Sequence, residues 1–177
     1  MEYQSELWVI LKDDEYHNVW DRVNSEFHFW PSMKNEHPTF EFQIPVDFYD
    51  LCDFRAYEEN KLIVDETMKS IFVECMGDDD FMYALDWQHT GFRYNPRVNT
   101  TIEYPVFIKD ERYECGGYNV YFPEFYPNGD YYFFIAKDFR WGYLTHPWLN
   151  KAWVFGDRLM QLFQENAAKM GFMPCAE

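Results

Sequence analysis

Two short blocks of the chain place acidic and histidine side chains beside aromatic ones. Asp86 and His89 lie three residues apart in the first block, and Asp130 and His146 lie in the second. A carboxylate that hydrogen-bonds an imidazole fixes its orientation, so each Asp–His pair could act as a general acid and base. This hypothesis requires the four side chains to lie within about 8 Å of one another around an open cleft, within reach of one substrate.

Neighbouring residues could complete a ligand site. Tryptophan and tyrosine rings offer faces on which a planar molecule stacks, and the forked guanidinium of Arg93 or Arg140 suits a carboxylate or phosphate. The predicted ligand-binding cleft therefore comprises Asp86, Trp87, His89, Tyr94, Asp130, Arg140, His146 and Trp148.

The same residues also have a purely structural interpretation. Asp86 and Asp130 could accept backbone N–H bonds at strand ends and turns. His146, which precedes Pro147, could be a corner residue whose ring bonds a carbonyl group, and the tryptophans could be core rings. The residue types alone leave both interpretations open.

The sequence predicts no metal and no cofactor. Two histidines and two aspartates could bind a divalent cation, but no H-x-x-H or H-x-H spacing brings them together locally. The run Asp78 to Asp80 lacks the alternating carboxylates of a calcium loop and indicates a solvated turn. The cysteines form no C-x-x-C pair; they are Cys52, Cys75, Cys115 and Cys175.

Charge restricts the kind of partner. Lysine and arginine total 15 and aspartate and glutamate total 31, so the formal net charge is −16. Such a chain is a poor generic ligand for nucleic acid or for anionic membranes, and its charge would steer it toward a basic partner. The sequence contains neither a secretory signal pattern nor an apolar run of membrane-spanning length, so we expect a cytoplasmic protein with reduced thiols.

Hydrophobic periodicity predicts an α+β fold. Helices are predicted from Asp13 to Phe27, from Glu58 to Met76 and after Asp157, and Thr39–Ile44 alternates as a half-buried strand. Asn128-Gly129 between aromatic runs indicates a hairpin turn. We expect one domain over residues 1–177: a mainly antiparallel sheet with about three helices packed mostly on one face. The other predicted strands are Phe81–Trp87, Pro105–Lys109, Tyr118–Phe122, Tyr131–Ala136, Trp141–Leu144 and Lys151–Phe155, with Tyr131–Ala136 paired to Trp141–Leu144.

Two blocks, covering roughly the C-terminal half, resemble the bacterial family called domain of unknown function 2716. The first matches the family's A-L-D-W-x-H…Y pattern. One departure is Tyr143-Leu144-Thr145, where a more glycine-rich turn is expected. The resemblance implies a cytoplasmic-type bacterial or phage protein, and it implies no activity. The matching segments are Ala84–His89, Gly91–Tyr94, Tyr126–Tyr132, Trp141–Gly142, His146–Trp148 and Val154–Gly156.

Three functions are compatible with these patterns. The first is a non-enzymatic acidic binding protein that recognises and neutralises or escorts a partner, such as a basic protein, in the manner of an immunity protein or inhibitor. The second is a small-ligand module with an aromatic, histidine and arginine pocket for a planar or nucleotide-like molecule. The third is a hydrolase or transferase that uses Asp86, His89 or His146.

Overall fold

The computed structural model describes residues 7–98 and 106–176, which form an α+β fold as predicted. The helices are α1 (Asp13–Phe27), α2 (Phe54–Met76) and α3 (Asp157–Asn166), and α3 continues into a short 3₁₀ turn over Ala167–Met170. The strands are β1 (Trp8–Ile10), β2 (Val46–Asp50), β3 (Met82–Asp86), β4 (Gly91–Tyr94), β5 (Val106–Lys109), β6 (Gly117–Val120), β7 (Tyr132–Ala136), β8 (Gly142–His146), β9 (Lys151–Phe155) and β10 (Met173–Cys175).

Most of the strands form one antiparallel sheet. In the described residues its order is β1-β4-β3-β7-β8-β9-β2-β10, while β5 and β6 pair only with each other as a separate hairpin. The strand β7 lies in the interior of the large sheet, between β3 and β8. The predicted pairing of the segments at Tyr131–Ala136 and Trp141–Leu144 is therefore confirmed.

Helices cover both faces of the sheet, with α2 and α3 on one and α1 on the other. Successive side chains of β7 alternate between them: Phe133 packs with the α1 residues, and Phe134 packs with those of α2 and α3. Two of the three helices thus share a face, as expected. The high aromatic content is used largely to fill these two layers, because rings bury a large area on a pleated surface.

Two predictions about strands were wrong. Thr39–Ile44 is not a strand, and β2 begins only after Pro45. Phe40 is buried, as the alternation predicts. However, the backbone of Thr39 and Glu41 forms hydrogen bonds with the chain around the end of α1 rather than with a strand. The turn at Asn128-Gly129 does not join two paired strands, since β6 pairs with β5, and β7 with β3 and β8.

Short elements and termini account for the other differences. The strands β1 and β4 contain three and four residues and were not predicted. The helix α2 starts at Phe54 rather than Glu58. Pro105, the predicted start of the fifth strand, lies outside the described residues. None of the helices in the described ranges is both long and apolar enough to cross a lipid bilayer.

Candidate functional site

An open cleft of about 630 Å³ lies between the β5–β6 hairpin and the ends of β3 and β7. Its floor is formed where β3 ends and where the chain enters β7. Acidic, amide and tyrosine side chains dominate the lining: Asp86, Gln88, His89, Thr90, Tyr113, Tyr118, Asn119, Val120, Tyr121, Asn128, Gly129, Asp130 and Tyr132.

Two carboxylates converge on one imidazole nitrogen at the floor of this cleft. His89 Nδ1 lies 3.0 Å from Asp86 Oδ1 and 3.1 Å from Asp130 Oδ2. Asp86 is nine-tenths buried, whereas the His89 side chain is 62% exposed. We call Asp86, His89 and Asp130 the carboxylate–histidine cluster.

Local backbone geometry explains why these three residues meet. Asp86 is the last residue of β3, and the tight turn to β4 has Gln88 at a φ of 64°, in the left-handed region. The backbone N–H of His89 donates to the Asp86 carbonyl, so the turn folds the imidazole back beside the carboxylate. Asp130 is fixed by its own turn, because its Oδ1 accepts the backbone N–H of Tyr131 at 2.8 Å.

The cluster has perturbed protonation equilibria. Burial raises the pKa of Asp86 to about 6, although the hydrogen bond from His89 opposes that rise. Burial also raises the pKa of Asp130. At His89 burial disfavours the charged form, but the hydrogen bond to Asp86 and the charges of Asp86 and Asp130 outweigh it and raise the imidazole pKa. Carboxyl and imidazole groups at an open cleft with shifted pKa values are typical of functional sites.

Tyrosines that were not among the predicted site residues form much of the wall facing the cluster. Tyr113 and Tyr121 are about half exposed, at 50% and 58%. Tyr118 and Tyr132 complete the aromatic wall. Tyr118 and Tyr132 lie in segments that were predicted as strands. Alternation could not show that the β5–β6 hairpin folds over the end of the large sheet.

His146 belongs to a different site. It lies fully buried on the α1 face of the sheet, with its ring against Tyr131, Trp148 and Trp153. Its Nδ1 accepts the backbone N–H of Leu149, which makes the imidazole the neutral Nε2–H tautomer. The Nε2–H then donates to the Tyr131 hydroxyl, 3.1 Å away.

Tyr131 extends this network to the segment that follows α1. Its hydroxyl donates to the Ser32 carbonyl at 2.7 Å and accepts the Ser32 N–H at 2.9 Å. His146 and Tyr131 therefore fasten the chain around Ser32 to the sheet. This arrangement fits the structural interpretation of His146 as a corner residue.

The remaining predicted site residues are dispersed. Trp87 and Trp148 pack edge-on against Tyr131, away from the cleft lining. Tyr94 is buried in the core on the α2 side, against Phe122. Arg140 follows the opposite end of β7 and pairs with Asp79 and Asp138. The structure thus brings together Asp86, His89 and Asp130 and places the other predicted residues elsewhere.

We predict that His146 makes stability fall in mild acid. Burial lowers its folded pKa to about 4 from 6.5, so only the unfolded chain binds a proton between these values. Neutral His146 therefore contributes about 2–3 kcal/mol to the free energy of unfolding. This contribution is complete above pH 6.5 and is lost as the pH falls toward 4. Urea unfolding at several pH values should show a shallower acid dependence for His146→Gln than for the parent. His17→Gln, at an exposed histidine of α1, is the control, and parallel curves for the parent and His146→Gln would contradict the prediction.

We predict that Asp86→Asn stabilises the fold. The folded pKa of about 6 exceeds the ordinary 3.8, so the buried carboxylate costs stability above pH 6 and this cost disappears as the carboxylate is protonated. Near pH 7.5 the free energy of unfolding should rise by about 1–2 kcal/mol, and the gain should vanish near pH 4. The exposed Asp78→Asn substitution is a matched control. A loss of stability in Asp86→Asn at neutral pH would show that the carboxylate is a structural group.

Comparisons with known proteins agree with the two sequence blocks. The model of the family described as "Protein of unknown function (DUF2716)" matches residues 10–160, which extends beyond the C-terminal half. The chain is also similar to "Uncharacterized protein YxiI" of Bacillus subtilis (strain 168), at 33% identity over 164 residues that cover 87% of this chain and 90% of the relative. No solved structure matches the chain with significance. The carboxylate–histidine cluster lies inside the matched range, and the chain belongs to the DUF2716 family.

Proposed function

We propose that the chain is a non-enzymatic binding protein that recognises a basic protein and neutralises or escorts it, as immunity proteins and inhibitors do. The observation that carries this proposal is the composition of the cleft. Two carboxylates and several tyrosines line it, and none of its described lining residues is lysine or arginine. A positively charged side chain of a partner would supply the missing countercharge.

Net charge supports the same partner class. With 31 acidic and 15 basic residues, the chain attracts a basic protein over distances longer than direct contacts. The tip of the β5–β6 hairpin carries exposed Glu111 and Glu114 on either side of the cleft residue Tyr113, and its one arginine, Arg112, is paired with Asp110. Electrostatic attraction of this kind raises the association rate and falls with added salt.

Exposed aromatic side chains beside the cleft support a protein partner rather than a small ion alone. Tyr113 and Tyr121 line it, and Phe107 on the same hairpin is 51% exposed. Tyrosine is enriched at interface hot spots, where its ring buries apolar area and its hydroxyl remains available for a hydrogen bond. Carboxylates surrounded by such rings fit lysine and arginine side chains of a partner.

The proposal places the chain in the cytoplasm, in keeping with its cysteines. All four lie in the described residues and are free, and burial raises the pKa of the Cys75 thiol to about 12. A thiol with so high a pKa is a poor nucleophile.

A second function, acid–base catalysis, is favoured by one observation. Asp86, with a pKa near 6, bonds an imidazole at an open cleft, which is the arrangement of a general acid or base. The predicted small-ligand pocket does not form as a unit, because Trp87, Arg140 and His146 do not line this cleft. Turnover of a substrate that His89→Gln abolishes would replace the binding proposal with the catalytic one.

We expect the double substitution Asp86→Asn/Asp130→Asn to weaken capture of a basic partner at least about tenfold, the effect of losing little more than 1 kcal/mol of charge pairing. The chain would be immobilised and exposed to cytoplasmic extract, and the retained basic protein purified and its dissociation constant measured. Binding should weaken as salt rises from about 50 to about 500 mM.

The control for that experiment removes the same charge elsewhere. Glu58→Gln/Glu66→Gln neutralises two exposed carboxylates of α2 and should change the dissociation constant far less. Equal effects of the two double variants would mean that only net charge matters. A partner whose affinity is insensitive to both salt and the cleft substitutions would contradict the proposal.

A further inference from the structure

We propose that Asp86, His89 and Asp130 form a binding site for a divalent first-row transition cation, such as Zn²⁺ or Mn²⁺, at the floor of the cleft. One oxygen from each carboxylate and one imidazole nitrogen lie within 4.8 Å of one another. This inference goes beyond the proposed recognition of a partner. An ion and a basic side chain of a partner would compete for the same two carboxylates, and ion binding can be tested without a partner.

The spacing of the donor atoms suits a single ion. Metal–oxygen and metal–nitrogen bonds in such sites are about 2.0–2.2 Å long, so neighbouring donors lie about 3 Å apart. His89 Nδ1 lies 3.0 Å from Asp86 Oδ1 and 3.1 Å from Asp130 Oδ2. Two of the three donor separations therefore already match shared coordination, and the third, between the two carboxylates, is within 4.8 Å.

The hydrogen bonds among the described residues leave part of the Asp86 carboxylate open to the cleft. Both carboxylates are directed at Nδ1, which carries at most one proton. Among the described residues no group donates to Asp86 Oδ2, although Asp86 is only 8% exposed and faces the cleft. Burying a carboxylate with so few partners is costly, and a bound cation would remove that cost.

The donor set selects the kind of cation. Calcium and magnesium prefer all-oxygen shells, whereas one imidazole with two carboxylates suits Zn²⁺, Mn²⁺ or Co²⁺. Coordination through Nδ1 leaves the second ring nitrogen, Nε2, uncoordinated on a side chain that is 62% exposed. The remaining coordination positions face the open cleft, where water or a group of a ligand can occupy them.

Local residue spacing does not predict this site. Asp86 and His89 are close in the chain, but Asp130 comes from the entry to β7, more than forty residues later. The pairing of Asp86 with Tyr132 across β3 and β7 brings the segment preceding β7 beside the turn that carries His89. A motif of two closely spaced residues cannot reveal a site whose third ligand lies on another strand.

The direct test is calorimetric titration of the chelator-stripped full chain with ZnCl₂ and MnCl₂, together with the visible absorption spectrum after Co²⁺ addition. We expect one ion per chain. Asp86→Asn, His89→Gln and Asp130→Asn should each weaken Zn²⁺ binding at least about tenfold, since even loss of a group that orients a ligand costs that much. The Co²⁺ spectrum should change in the same variants.

His17→Gln is the matched control, because His17 is an exposed histidine among the acidic residues of α1 and could bind zinc adventitiously. It should leave the affinity unchanged. Circular dichroism on every variant, and a zinc-induced rise in melting temperature that only the cluster variants lose, separate lost coordination from lost folding. No binding, or binding that all three cluster variants retain, would overturn the inference.

Discussion

The position of β7 between β3 and β8 is the constraint on which the rest of the structure depends. Side chains of a strand alternate between the two faces of a sheet, so β7 sends Phe133 toward α1 and Phe134 toward α2 and α3. Its pairing with β3 also aligns Tyr132 with Asp86 and places Asp130 next to the β3–β4 turn. A slip of one residue in this register would reverse the faces and dismantle both the core and the cleft.

The same alternation separates two polar sites that are neighbours in sequence. Tyr131 faces α1, where it holds His146 and Ser32, while Asp130 turns to the cleft and to His89. His146 is neutral and fully bonded, as a structural histidine should be. Asp86 is instead buried with a raised pKa and an oxygen that no described residue satisfies. Of the two, only the carboxylate–histidine cluster has the energetic cost that is typical of a site kept for binding or chemistry.

Much of the fold was predictable because its signals are local. The apolar face of α1 follows from periodicity alone, and the short strand Lys151–Phe155 is an apolar run closed by Gly156. Thr39–Ile44 has the alternation of a strand, but whether it pairs depends on neighbours that periodicity does not reveal. The very short β1 and β4 carry too few residues for a pattern. Asp86, His89 and Asp130 were selected by residue type, whereas the tyrosine wall depends on the packing of the β5–β6 hairpin.

Recognition of a positively charged group at the cleft is tested most directly by NMR titration of the isotope-labelled chain with its purified basic partner. We expect the largest shifts of backbone amide signals at residues 86, 88–90, 118–121, 128–130 and 132, which line the cleft. These shifts should be smaller in the double variant Asp86→Asn/Asp130→Asn. Shifts confined to the outer surfaces of α1 or α2, with the cleft signals unchanged by a tightly bound partner, would contradict recognition at the cleft.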